Sequence, residues 1–213
     1  MYTVSTSKKA TAANHNDRYH HGNLREALLA EGMNLLEEAG ESGFSLRELA
    51  RRVGVTANAV YRHFANKDAL LMGLAVQGFE LFSTSQLLTW QQTEGKADER
   101  FLATGGSYVR FARQHPALFR LMFGRFATEH RSAELDAASQ TAFATLQQGV
   151  AIAIGLPAES RSVLLAAYSA WAVVHGFSHL ILDGQIGDET EELEAVVEAS
   201  LRQWVSARRQ DDQ

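Results

Sequence analysis

The chain has 213 residues, 46% of them hydrophobic and none cysteine, so it can bury a sizeable core as one large domain or a small domain joined to a larger one, without disulfides or thiolate metal sites. A net charge of −5 would argue against a nucleic-acid partner if it were evenly spread, but residues 1–68 hold nine Lys/Arg against eight Asp/Glu, net +1, whereas 69–213 hold eleven against seventeen, net −6. No apolar run approaches the roughly 20 residues of a spanning helix and no charged-then-apolar leader opens the chain, which predicts a cytoplasmic protein with no membrane partner.

Two prolines and recurrent helical spacing of apolar residues predict an all-α fold. Residues 1–20 are polar and aperiodic and read as a flexible N-terminal arm, from which Arg18, His20 and His21 could reach a phosphate backbone or a minor groove. Asn23 with Glu26 reads as a capping box, and Leu24, Leu28, Leu35 and Ala39 then trace a first helix closing near Gly40. Ser45 with Glu48 reads as a second box, opening a short helix with Leu46, Leu49, Ala50 and Val53 on one face. Gly54 breaks it. Thr56 can cap a third helix running to about His63, and Asn66 a fourth beginning at Lys67. A longer helix followed by two short ones across a tight glycine turn is a helix-turn-helix pattern. Farther on, a long helix continues from Leu70 to about Trp90, and a polar stretch from Gln91 to Lys96 ends it. Pro116 and Pro157 suit the first positions of new helices. Asp183-Gly184 and Gly187-Asp188 bracket a loop, and Asp188 with Glu191 can cap a last helix over about 189–208.

Chemistry concentrates in 54–71, GVTANAVYRHFANKDALL. Val60 and Phe64 would lock a helix onto its own domain, while Asn58, Tyr61, Arg62 and His63 remain for an outward side suited to phosphates and base edges. Within 45–67, Arg47, Arg51, Arg52, Arg62 and Lys67 face only Glu48, a local net of +4. Arg51 and Arg52 lie three and four residues from Glu48 and are expected to be solvated or paired with it.

The run Leu24 through Ala39, Phe44 to Ala50, Val53-Gly54-Val55-Thr56, Val60 to Phe64 and Asn66 to Leu71 resembles the tetracycline-repressor (TetR) family of bacterial transcription regulators. Trp171 with His175-Gly176 resembles a branch of that family with a WHG-type C-terminal domain. The resemblance implies an all-helical homodimer that binds an operator in double-stranded DNA, an inverted repeat, and is modulated by a small-molecule effector. It implies a helix-turn-helix domain over 21–74, a ligand-binding and dimerisation domain over 75–213, a repressor's role, no enzymatic activity and no cofactor. It also implies that Arg47, Thr56, Asn58, Tyr61, Arg62, His63 and Lys67 face DNA. Arg47 can fork to phosphate or guanine, Thr56 and Asn58 suit base edges, and Tyr61 and His63 can donate to phosphate oxygens. Lys67 stands where a helix start already favours an anion. Asn58-Ala59 departs from relatives that place Gly or Pro and then Thr there, so base specificity does not carry over with the fold.

Beyond residue 75, Tyr108, Phe111, Phe119, Phe123 and Phe126 are candidates for an apolar effector pocket, with Met122 among them, although such a stripe is more often ordinary core. Arg110, Arg113, Arg120 and Arg125 interleave with these rings and would suit a ligand with an anionic end. Trp171 and His175, four apart, either close that pocket, support a dimer contact or form a packed pair. Leu193, Val196, Val197, Leu201 and Trp204 give the last helix a stripe that needs a partner, a second copy of the chain being the expected one. The rival reading is a metal-dependent helical enzyme or metal sensor, because His175, His179 and Asp183 recur every four residues. No zinc-protease order, phosphate loop or nucleophile elbow accompanies them.

Overall fold

The computed structural model describes the backbone of residues 24–187 and 190–211 and the side chains of 24–187 and 193–205. The expectations for the arm, Arg18, His20, His21, Asn23, Asp188 and the Glu191 side chain lie outside these. Among the described residues every regular element is a helix: α1 Leu24–Gly43, α2 Leu46–Val53, α3 Ala57–His63, α4 Lys67–Gln92, α5 Ala97–Gln114, α6 Pro116–Phe123, α7 Arg125–Glu129, α8 Ala133–Ile154, α9 Arg161–Leu182 and α10 Thr190–Asp211.

Local chemistry sets most of the ends. The α1 path leaves helical geometry at Gly40, φ 66°, where the sequence places its close. Gly54 closes α2 in the left-handed conformation, φ 78°, and the following Val55 N–H reaches back to the Ala50 carbonyl at 2.9 Å, so two of the carbonyls that α2 leaves open are satisfied. Thr56 and Asn66 cap α3 and α4 through the N–H groups of Ala59 and Ala69. Two sequence expectations fail. Ser45 occupies the N-cap of α2, but its side chain bonds no backbone, and Glu48 turns to arginines instead of closing a box. Pro116 opens α6, whereas Pro157 lies in a turn and α9 starts at Arg161 under a cap from Ser160.

α1, α2, α3 and the first turns of α4 share a core of Leu28, Leu36, Leu49, Val60, Leu70 and Leu74, all fully buried. α4 then runs on without interruption, so the expected boundary at 74/75 falls inside one helix. In the larger part α5 is central, packed against α4, α8, α9 and α10. α6 presses on α4 so closely at Gly78 that a Cβ there would stand 2.6 Å from the Met122 sulfur. Its N-terminus is held by α1, because the Glu37 carboxylate accepts the N–H groups of Ala117 and Leu118 at 2.9 and 3.0 Å.

One sequence expectation about membranes is corrected by α9. It is 22 residues long and holds an 18-residue stretch of mean hydropathy 1.3, so it is long and apolar enough, by length and composition, to cross a bilayer. The cause is that it is apolar on two sides. Val163, Ala166, Ala167, Ala170 and Val174 are buried in the chain, while Leu164, Leu165, Tyr168 and Leu180 are exposed.

Candidate nucleic-acid interface and ligand cavity

α3 is seven residues long and could not persist alone. Val60 and Phe64, 0% and 4% exposed, fix it to α1 and α4. That anchoring leaves Asn58, Tyr61 and Arg62, spaced three and four apart, on its outward side, with His63 beside them and all four exposed. Arg47 is exposed on α2. Among the described residues the side chains of Arg47, Asn58, Tyr61, Arg62 and His63 form no hydrogen bond or ion pair within the chain. Thr56 is exposed too, but its hydroxyl already accepts the Ala59 N–H at 3.3 Å. Lys67 is half-buried, and its ammonium donates to the Glu41 carbonyl at 2.6 Å, tying the start of α4 to the end of α1.

The neighbouring arginines are engaged as the sequence expects, and more fully. Arg51 forks onto Glu48 at 2.7 and 2.8 Å. Arg52 reaches Glu48 at 3.0 Å, Glu38 at 2.6 Å and Glu31 at 3.4 Å, bracing α2 against α1. Hydrogen bonds from Arg51 and then Arg52 pull the Glu48 carboxyl down to about 2, and the bond from Arg52 also lowers that of Glu38. The positive charge on α2 is therefore largely answered inside the protein, and of the arginines on α2 and α3 those without an ion pair among the described residues are Arg47 and Arg62.

The second feature is a cavity of about 1380 Å³ between α4, α5, α6, α8 and α9. Of the predicted effector residues, Tyr108, Phe123, Trp171 and His175 line it. Phe111, Phe119 and Phe126 do not; they are 3%, 0% and 4% exposed and pack as core. Sequence reasoning missed Phe79, Phe82, Gln86 and Trp90 of α4, and Phe143 of α8, which also line it. The α4 set had a usable signal, since its spacing of three, four and four is a helical stripe with a glutamine inside it. α8 roofs the cavity in an unusual way. It is buried at Leu135 and again from Val150, with no buried residue between.

A hydrogen-bonded triad stands in the cavity wall. Trp171 Nε1 donates to the Tyr108 hydroxyl at 3.1 Å, and that hydroxyl lies 2.9 Å from His175 Nδ1. The indole N–H can only donate, so of the two partners of this buried hydroxyl Nδ1 is the one able to accept its proton, which assigns the imidazole proton to Nε2. Burial, and then the neighbouring His179, push the His175 pKa down, and burial pushes the Tyr108 phenol up. Both shifts favour the uncharged forms. The arginines expected to meet an anionic ligand are elsewhere: Arg110 on Glu194 at 3.0 Å, Arg120 on Asp183 at 2.9 Å, and Arg125 on Glu129. None of these three, nor Arg113, lines the cavity.

The metal reading loses its geometry for the same reasons. Asp183 is turned to Arg120 and His175 Nδ1 to Tyr108, and among the described residues no group of three His, Cys, Asp or Glu is placed to hold a metal ion. The stripe on α10 is also corrected. Leu193, Val197 and Leu201 are 7%, 0% and 1% exposed, buried within the chain, and Leu201 fits the notch at Gly105 of α5. Trp204 is half-buried against Phe101. The partner that stripe needs is α5, and of the expected set only Val196 is exposed.

Residues 28–74 match the family described as bacterial regulatory proteins, tetR family, and residues 101–204 match the tetracyclin repressor-like C-terminal domain. The tetracycline repressor protein class C of Escherichia coli is 47% identical over 51 residues, covering 24% of this chain and 23% of that protein. The nucleoid occlusion factor SlmA of Vibrio vulnificus (strain YJ016) is 33% identical over 103 residues, 48% of this chain and 52% of that one. The chain thus spans between a quarter and a half of the length of these curated relatives. A solved structure of a protein of unknown function from Rhodococcus sp. RHA1 superposes with a TM-score of 0.74 at 31% identity, over 90% of this chain and 98% of that one.

Proposed function

Since the chain belongs to the TetR family of DNA-binding transcriptional regulators, we propose that it acts in the cytoplasm as a homodimeric repressor whose hold on an inverted-repeat operator is altered by a small molecule in the cavity. The observation that carries this reading is the outward side of α3, where Asn58, Tyr61 and Arg62 have no partner among the described residues while adjacent Arg51 and Arg52 are locked onto glutamates. A side left unsatisfied beside one so fully satisfied suits a major groove, with Asn58 and Arg62 toward base edges and Tyr61, His63 and Arg47 toward phosphates. Thr56 and Lys67 keep unused donors for the same backbone.

The second copy is assigned to the exposed side of α9. Leu165, Tyr168 and Leu180 form an apolar line there, with Gly176 open between Tyr168 and Leu180 and Val196 exposed on α10. Two-fold pairing along that line presents the same α3 twice, which requires alike half-sites on opposite strands. Coupling to the cavity would run through α4, which begins beside α3 and lines the cavity with Phe79, Phe82, Gln86 and Trp90. A ligand shifts the spacing of the two heads only by its differential affinity for the two arrangements.

The test is genome-wide mapping of binding sites in the native host, followed by sedimentation of the protein on a mapped site. Inverted repeats bound by two chains are expected. Sites without internal symmetry, or binding by one chain, would reject the dimeric reading.

A further inference from the structure

The walls of the cavity restrict the chemistry of what fills it. Its volume, about 1380 Å³, exceeds the roughly 300–1,000 Å³ usual for drug-sized ligands. Rings from four directions face it: Phe82 from α4, Tyr108 from α5, Phe123 from α6, and Trp171 from α9. Two of the contacts among these rings are edge to face, Phe82–Tyr108 with centroids 5.1 Å apart and planes at 83° and Phe82–Phe123 with centroids 6.4 Å apart and planes at 85°. That arrangement leaves ring faces free for a further ring.

Formal charge is almost absent. Apart from His175 and two tyrosines, the ionisable side chains that line the cavity are Arg131 and Asp136, and these pair with each other at 2.8 Å where α8 begins. An ionised ligand would lose its hydration and meet no free opposite charge. The polar groups farther in are neutral and partly committed. Gln147 donates to the Ala158 carbonyl at 2.6 Å, and the Tyr108 hydroxyl is used on both sides by Trp171 and His175. The triad leaves one donor without a protein acceptor among the described residues, the Nε2–H of His175.

We propose that the cavity takes an uncharged, predominantly aromatic ligand of more than one ring, bearing a hydrogen-bond acceptor that His175 serves. This rests on the reading of the chain as an effector-responsive regulator and specifies the effector's class. His175 is then a specificity residue, since it rewards a carbonyl or ether oxygen and offers a carboxylate no countercharge. Size and flatness are set by the rings, and neutrality by the scarcity of charged side chains in the wall.

Three dyes of different charge test this on the full chain: neutral Nile red, anionic anilinonaphthalene sulfonate and cationic crystal violet. Nile red is expected to saturate near one equivalent per chain and to bind at least about tenfold more tightly than either ion. Phe143→Glu places a carboxylate on the cavity side of α8. It should weaken Nile red about tenfold and strengthen crystal violet, and Ser139→Asp on the same helix makes the same test should the first variant not fold. His175→Phe should weaken Nile red by about threefold to tenfold while leaving the order of the three dyes unchanged. Equal or tighter binding of the anion, or Nile red binding that ignores both α8 variants, overturns the proposal. Binding of the dye-free protein to a mapped operator is measured on the same samples. Intact operator binding with the wrong dye order rejects the ligand class alone, whereas failure to bind any operator rejects the regulator and leaves the dye order standing.

Discussion

The Glu37 carboxylate on α1 accepts the backbone N–H of Leu118 on α6 at 3.0 Å, joining residues 81 apart in sequence. The Ala117 N–H is held at 2.9 Å by the other oxygen, so one side chain from the helix that backs α2 and α3 satisfies the start of a helix that walls the cavity. Glu37→Ala is expected to lower the unfolding free energy by about 1–2 kcal/mol in a denaturant titration. Glu37→Gln, which keeps one acceptor, should lose less.

The contrast between engaged and unengaged arginines predicts a contrast in DNA binding. Arg62→Ala and Tyr61→Ala should each weaken binding to a mapped operator by about 1–3 kcal/mol at unchanged melting temperature. Arg62→Ala should also reduce the slope of log affinity against log salt by about one. Arg51→Ala, which removes a side chain already held by Glu48, should change affinity by no more than about 0.5 kcal/mol. Fluorescence anisotropy at several salt concentrations separates the three.

Glu48 supplies a pH signature. Its carboxyl is lowered from 4.5 to about 2 by Arg51 and Arg52, so between those values the unfolded chain holds more protons than the folded one. The stabilisation is complete above about pH 4.5 and disappears as the pH falls toward 2. Thermal unfolding of Glu48→Gln should therefore run below the wild type at neutral pH, and the two melting curves should converge on acidification.

Phe119 and Phe123 lie one helical turn apart and should respond differently. Phe119 is fully buried, and Phe119→Ala should cost about 3–5 kcal/mol of stability. Phe123 is half-buried with one side on the cavity, so Phe123→Ala should cost less and shift the ligand concentration that releases DNA. Denaturant titration and operator release on the same preparations check both.

At Gly176 of α9 an added Cβ meets nothing within 4 Å in the single chain. Gly176→Leu is thus expected to leave the helix intact, or to strengthen it, while obstructing the proposed pairing. Sedimentation equilibrium should show a weaker dimer without a lower helix content by circular dichroism.

What could be read from the sequence was what neighbours in sequence decide. Thr56 and Asn66 cap their helices because the N–H groups they satisfy are three residues away, and Gly54 turns the chain by its own freedom. The α3 side was legible because Val60 and Phe64 fix which way a seven-residue helix must face. Contacts across the fold were not legible. Ser45 and Glu48 have the spacing of a capping box, but Arg52, braced by Glu31 and Glu38 of α1, draws the carboxylate away. Periodicity gave α10 an apolar face without saying that α5 covers it, and it could not tell Phe119 from Phe123. The cavity joins α4 to α8 and α9 across more than forty residues, a separation that no local pattern encodes.

The sparse burial of α8 bears on how such a protein can change over generations. Between Leu135 and Val150 that helix adds nothing to the fully buried core, yet Phe143, Leu146 and Gln147 face the cavity. Replacements there alter ligand contacts while the anchoring ends, and with them most of the helix's share of folding energy, stay in place. Drift along this stretch would therefore retune which molecule is sensed without first passing through unstable forms. On α3, by contrast, the side chains proposed to read DNA share seven residues with the anchors Val60 and Phe64, so the proposed operator preference would have far less room to wander than the proposed choice of ligand.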